Sequence, residues 1–207
     1  MMELVQRSDC PFCWKVRLGL AVAGASYQST MTVLGQKHPT VLNHNPKQSV
    51  PVLIDGETVM WESTVMLEYL DDVYAEGRLY AGSGARRALT RTRVAYSDGV
   101  VGPALRDLVF ERRSKRSADQ DPSLIERSLE SWQQVQRELD AMLDGQLTFS
   151  EGFGAADCAL LARVGVADAY DAGPTASTPQ LKAWYERSKQ RPWWDQAYPT
   201  SFIRPTA

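Results

Sequence analysis

The chain has 207 residues, with 23 lysines and arginines against 25 aspartates and glutamates and a formal net charge of -2. That balance argues against a dedicated nucleic-acid binder, which carries a basic excess, and no apolar run approaches the ~18 residues of a membrane span. The 43% apolar and 23% charged residues are those of a globular protein that needs no disulfide staples; with no signal-peptide pattern in MMELVQRSDC, the expected compartment is cytoplasmic.

Residues 2–6 (MELVQ) predict a short strand. Pro11 opens a helix that runs to about Ala23, with Ser8 and Asp9 ahead of it and Gly24 closing it. Residues 27–34 mix β-branched and polar side chains and predict a second, partly exposed strand. Lys37 to His44 predicts a short helix, broken at Asn45-Pro46 because a residue before proline avoids the helical region. Val52-Leu53-Ile54 and Thr58-Val59-Met60 flank Asp55-Gly56-Glu57, a hairpin signal. A helix from about Glu62 to Tyr74 follows, with Met66, Tyr69, Leu70 and Val73 spaced as its buried face. The order β-α-β-α-β-β-α over residues 1–76 demands a mixed sheet with helices on its faces.

The Gly-rich, polar stretch AEGRLYAGSGARR then marks a linker, set at 77–87. Only helical signals follow, so residues 88–207 read as an all-helical domain. A kink is expected where Gly99, Gly102 and Pro103 interrupt the stretch 88–113. Ile125, Leu129, Trp132, Val135, Leu139 and Met142 form one apolar stripe, started by Asp121-Pro122 and ended by Gly145. Further helices are predicted over 155–169, with Leu160, Leu161 and Val164 on one side, and from Pro179 to just before Pro192.

The chain has three cysteines, and two stand together as Cys10-Pro11-Phe12-Cys13. An odd, small count excludes a secreted disulfide framework and leaves redox chemistry or metal binding. The pair follows a predicted strand and opens a helix. A helix N-terminus offers free N–H groups and partial positive charge, so a cysteine there is expected to be thiolate-rich near neutral pH. The spacing lets Cys13 attack a mixed disulfide at Cys10. A zinc site would need two more ligands, and His38 and His44 are the only histidines. Cys158 reads as a small core residue, and Arg112-Arg113-Ser114-Lys115-Arg116 as a solvated helix end. Trp14, just after the cysteine pair, is a candidate for the mouth of the site, as are Tyr96 and the kinked region 99–103. Glu62-Ser63 opens the helix after the hairpin, where an N–H and a hydroxyl favour a carboxylate.

Strand, Cys-Pro-Phe-Cys helix, strand, Asn45-Pro46-x-x-x-Val50-Pro51-Val52-Leu53, Asp-Gly hairpin, Glu-Ser helix and helical remainder occur in one order. Together they resemble a cytosolic glutathione transferase across essentially the whole chain. The resemblance implies an α/β thioredoxin-like N-terminal domain plus an all-α C-terminal domain. Cys10 matches the N-terminal catalytic position of the cysteine-type, Omega-like branch, and Cys13 is closer to a glutaredoxin. Val50 matches the residue before the family's cis-proline, which would be Pro51. Glu62 and Ser63 match the pair that holds the γ-glutamyl end of glutathione, and Lys37 a lysine near its glycyl carboxylate. Ser8 is a nearby hydroxyl that permits a serine-type reading. The family's frequent glycine in Asn-Pro-x-Gly is Gln48 here. Its Ser/Thr-x-x-Asp box reads Gly154-Ala155-Ala156-Asp157, where Asp157 keeps the acceptor and the hydroxyl half is missing.

The resemblance therefore implies glutathione as co-substrate, no metal, and a homodimer. A cysteine at the catalytic position implies thiol transfer, deglutathionylation or dehydroascorbate-type reduction, with a small electrophile or disulfide as second substrate. The rivals are conjugation or dehalogenation with Ser8 as thiolate stabiliser, and a non-enzymatic interaction module of the same fold.

Overall fold

Strand β1 (Met2–Gln6) runs beside β2 (Tyr27–Met31) in parallel and beside β3 (Val52–Asp55) antiparallel, and β4 (Thr58–Met60) completes the sheet in the order β2-β1-β3-β4. This is a computed structural model, which describes residues 1–203. The last four residues of the predicted 88–207 domain lie outside the described residues.

The parallel β1–β2 pair requires a crossover, and α1 (Pro11–Ala23) supplies it. Pro11 sits at its first turn, where a missing N–H is harmless, and Gly24 closes it at φ 69° in the left-handed region. A shorter helix, α2 (Pro39–His44), leads into β3, and Gly56 at φ 57° turns the β3–β4 hairpin. Strand β2 ends at Met31 rather than at residue 34, and α2 begins at Pro39 rather than Lys37, since the proline is accommodated only in a first turn.

Helix α3 (Ser63–Leu70) passes directly into a π-helical turn, Asp71–Ala75. The wider turn shifts the phase of the apolar stripe. Met66, Leu67 and Leu70 are buried, Tyr69 is half-buried with its hydroxyl on Asp55, and Val73 is 53% exposed rather than buried. The expected linker is also more structured than its composition implies. Leu79 and Tyr80 are fully buried, and both their N–H groups donate to the Asp71 carboxylate, at 2.7 and 3.3 Å. Helix α4 (Gly84–Tyr96) starts inside that stretch, capped by Ser83.

A second π-turn, Ser97–Val101, joins α4 to α5 (Gly102–Ser114) at the expected kink. Then come α6 (Pro122–Leu143), capped by Asp121, and α7 (Ala155–Ala169). Two shorter helices follow, α8 (Pro179–Lys189) and α9 (Trp194–Ala197). Helix α7 is not one-sided as its leucines imply: residues 155–167 are all buried, because α1, α4, α5 and α8 surround it. Its cap uses Asp157, which accepts from the Gly154 N–H at 3.1 Å. Ser150 supplies the missing hydroxyl from outside the box, accepting from the Ala156 N–H at 3.2 Å.

The contact between α1 and α7 joins the sheet half to the helical half. Trp14, fully buried, packs against Gly165, where a Cβ would stand 2.3 Å from the indole ring. Gly165→Ala should therefore destabilise the protein by about 1–3 kcal/mol, because neither the indole nor the enclosed helix has room to retreat. A urea titration would detect this as a lowered midpoint with an unchanged slope.

Candidate active site

Cys10 is the N-cap of α1, with extended backbone (φ -75°, ψ 120°), and only 6% of its surface is exposed. Its side chain makes no cap hydrogen bond, yet its sulfur lies at the start of the helix, where the dipoles of the Phe12 and Cys13 N–H groups favour its ionised form. The largest influence on its acidity is the adjacent Cys13 thiol. Burial opposes ionisation, but the backbone N–H groups and the Arg7 charge add to the Cys13 effect, and the pKa is pulled down to about 6. Cys13 goes the other way: burial, then the neighbouring Cys10 charge, push its thiol up. Its sulfur also accepts the Arg7 N–H at 3.5 Å. The pair thus holds one negative charge, on Cys10.

Cys10 opens onto a cavity of about 520 Å³ between the start of α1 and helices α5 and α7. Three ion pairs, two of them sharing Asp98, stand in or behind its wall. Arg7 binds Asp9 at 2.5 Å. Asp98, presented by the second π-turn, takes Lys15 at 2.6 Å and Arg163 at 3.1 Å, and Thr64 bridges Lys15 and Asp98. Burial pushes the Asp98 carboxyl up, but the two cations outweigh it and hold it below its ordinary range. Phe12 stands over this network, with the Arg163 guanidinium 4.3 Å and the Lys15 ammonium 5.7 Å from its ring centre. The network ties α1 and α3 to the π-turn and α7, and so fixes the cysteine turn against the helical half.

The other residues singled out from the sequence gather at one end of the sheet. Val5 pairs with Val52, so Pro51 stands opposite Gln6, where β1 leads into the cysteine turn. The Val50–Pro51 peptide is cis. Glu62 adopts φ 74°, an unusual conformation for a residue with a side chain, and Ser63 begins α3 just after it, buried. Glu62 pairs with Lys47 at 2.6 Å on the surface. Gln48 takes φ 52°, the conformation that makes glycine frequent at its position, within a loop held by the Asn45 side chain. Lys37 is exposed in the irregular segment between β2 and α2.

Several expectations are corrected. Trp14 does not reach the mouth of the site; it is in the core, ringed by Trp194, Tyr198 and Phe202. Tyr96 turns its hydroxyl to Glu138, whereas Gly102 and Pro103 of the expected kink do line the cavity. The run 112–116 is not simply a solvated helix end. Arg112 donates to the Tyr170 carbonyl and Arg113 stacks on Phe110 at 4.2 Å. Ser8 is buried, its hydroxyl 3.1 Å from that of Thr200 and accepting the Ser201 N–H at 3.3 Å. Cys158 is fully buried, and burial pushes its thiol up. Among the described residues no group of three or more His, Cys, Asp or Glu could hold a metal, and no helix is long and apolar enough to cross a membrane. Sequence reasoning missed Arg7, Asp98 and Arg163. Their roles arise from long-range pairing, for which no local signal exists.

A four-stranded mixed sheet with a cysteine at the first helix N-terminus and a cis-proline beside it, joined to a helical half, defines a thioredoxin-like unit with a helical partner. Comparison with known proteins narrows the class. Residues 4–78 match the family described as "Glutathione S-transferase, N-terminal domain". Glutathione S-transferase GstB of Escherichia coli strain K12 is 28% identical over 199 residues, covering 93% of this chain and 95% of that protein. A probable glutathione S-transferase of Glycine max is 28% identical over 150 residues, 72% of this chain and 64% of the soybean protein. The theta class glutathione S-transferase of Xanthomonas axonopodis pv. citri, solved with glutathione bound, superposes with a TM-score of 0.85 at 25% identity and covers 98% of both chains. Residues 4–78 thus match the N-terminal domain of the glutathione S-transferase family, and the chain as a whole shares the fold of solved glutathione S-transferases.

Proposed function

We propose that this protein is a glutathione-dependent transferase whose Cys10 thiolate carries out thiol transfer. One observation carries the reading: Cys10 lines the cavity at the start of α1, where its pKa is pulled down to about 6, while the rival hydroxyl of Ser8 is engaged by the C-terminal segment. The solved relatives with glutathione bound support glutathione as the co-substrate. By the superfamily pattern, Glu62 and Ser63 receive its γ-glutamyl end, the Val50 backbone before cis-Pro51 its cysteinyl part, and Lys37 its glycyl carboxylate.

The chemistry is a pair of thiol–disulfide exchanges. The Cys10 thiolate attacks the glutathionyl sulfur of a mixed disulfide, RS–SG. The new bond is Cys10–S–SG; the old S–S bond breaks, and RS⁻ leaves and is protonated. A second glutathione thiolate then attacks the glutathionyl sulfur, forming oxidised glutathione and restoring the Cys10 thiolate. Cys13, fully buried and held protonated, serves in this scheme as the hydrogen-bond donor that stabilises the thiolate. Trp61, Val65, Val73 and Leu89, exposed on and around α3 and α4, favour a homodimer.

Ser8→Ala separates this reading from conjugation. It should leave reduction of a glutathionyl mixed disulfide close to the wild-type rate, measured through glutathione reductase and NADPH. Glutathione conjugation to an aryl halide should be slow in both proteins. Fast conjugation that Ser8→Ala abolishes and Cys10→Ala spares would overturn the proposal.

A further inference from the structure

Helix α5 turns an unusual stripe toward the cavity. Arg106, Val109, Phe110 and Arg113 stand at i, i+3, i+4 and i+7, one face of the helix, and all four line the cavity opposite Cys10. The two guanidinium groups flank the Phe110 ring, at 5.9 and 4.2 Å from its centre. Phe110 itself is 47% exposed, a large flat apolar surface left facing the open space.

Charge accounting singles out the same two arginines. The cavity wall carries four arginines and two aspartates. Arg7 is satisfied by Asp9, and Arg163 by Asp98. The carboxylates near the end of α5 are committed as well, Glu111 to Lys115 and Asp119 to Arg116. Arg106 and Arg113 form no salt bridge among the described residues, and the Arg113 Nε is shielded from solvent with no hydrogen-bond partner. Helix-end electrostatics favour a cation at Arg113, in the last turn, but give no reason for Arg106, one turn into the helix. A shielded guanidinium N–H without an acceptor is costly unless a ligand completes it.

We propose that this face of α5 binds the second substrate, and that this substrate is an anionic compound with a flat apolar body and a carboxylate. The body lies along Phe110 and Val109, and the carboxylate accepts from Arg113 and Arg106. The inference deepens the thiol-transfer reading by naming the chemical class that reaches Cys10, and it rests on that reading for the reaction alone. The binding face stands on its own.

The test is therefore made first without turnover. The resting protein, free of glutathione, is titrated by calorimetry with 1-naphthoate and with its neutral counterpart 1-naphthamide. The carboxylate should bind about tenfold more tightly, the size of one good charge-assisted contact. Arg113→Met and Arg106→Met should each bring the ratio toward one, and Arg113→Lys should keep part of it. Circular dichroism and urea midpoints confirm that each variant is folded. Equal affinities, binding of neither probe, or a preference that survives both methionine variants would overturn the proposal. A second arm compares turnover of the glutathione mixed disulfides of 4-mercaptobenzoate and 4-mercaptobenzamide, with the same ratio expected. If the naphthoate preference holds but neither disulfide turns over, the site stands and the thiol-transfer reading falls. If instead the arginine variants weaken glutathione binding as much as naphthoate binding, the two arginines serve glutathione and the proposal fails.

Discussion

Cys10→Ser should lower thiol transfer on the order of a thousandfold or more at pH 7, the scale seen when a nucleophile is removed from its site. Serine is close to cysteine in shape and suits an N-cap, and Cys10 makes no side-chain cap hydrogen bond that could be lost, so folding should be spared and the loss should fall on kcat. The wild-type rate carries a second signature. With a pKa of about 6, Cys10 is mostly thiolate at pH 7. The rate of the first exchange, read in a single turnover before the second glutathione enters, should therefore be flat above neutrality and fall as pH drops through about 6. Cys13→Ala removes the largest influence that lowers this pKa, so its profile should move toward alkaline pH. The linkage to stability has the same sign. The folded pKa lies below the ordinary cysteine value of about 8.5, so ionised Cys10 favours the folded state above that pH. That contribution is lost as pH falls through about 6. A rate profile centred near 8.5, unmoved by Cys13→Ala, would contradict the proposed pairing of the two cysteines.

Asp157→Ala should give the largest stability effect, about 3–5 kcal/mol. The carboxylate is fully buried and accepts from the Phe149, Ser150 and Gly154 N–H groups and from Trp184 Nε1, at 2.8 to 3.1 Å. Burial pushes its pKa up while these bonds pull it down. The alanine variant leaves all these donors without an acceptor in a dry interior, and it loosens the start of α7. Asp157→Asn should lose less. It keeps one oxygen for two of the donors and sets an NH₂ against the other two. Urea unfolding followed by tryptophan fluorescence reads both. A loss below about 1 kcal/mol for the alanine variant would mean that water replaces the carboxylate.

Those two sites show which parts of the molecule the sequence makes legible. Helix α1 is readable because its signals are local: Pro11 and Gly24 bracket it, and the cysteine placement follows. The β3–β4 hairpin is readable from Asp55-Gly56 for the same reason. Asp157 is recognisable as the acceptor half of a capping box, although the serine that completes it, Ser150, lies outside the pattern. Burial set by distant neighbours is not readable. Trp14, the fourth residue of a helix that begins at the site, could face the cavity or the core, and Gly165 on α7 decides for the core. Val73 keeps a correct helical spacing and still faces solvent, because a π-turn changes the phase. Ser8 and Cys10 both precede the same helix. Which of them meets the cavity depends on the backbone turn and on Thr200 and Ser201, far along the chain. Arg113 reads as one residue of a solvated basic run until the fold sets it on Phe110.

The central claim is that Cys10 is the nucleophile that accepts the glutathionyl group. Incubating the protein with oxidised glutathione and taking intact and peptide mass spectra tests it most directly. The account predicts one glutathionyl adduct on the peptide that carries Cys10, removed by reduced glutathione and absent in Cys10→Ser, with Cys158 unmodified. A protein that binds glutathione yet shows no adduct at Cys10 and no Cys10–Cys13 disulfide would contradict it.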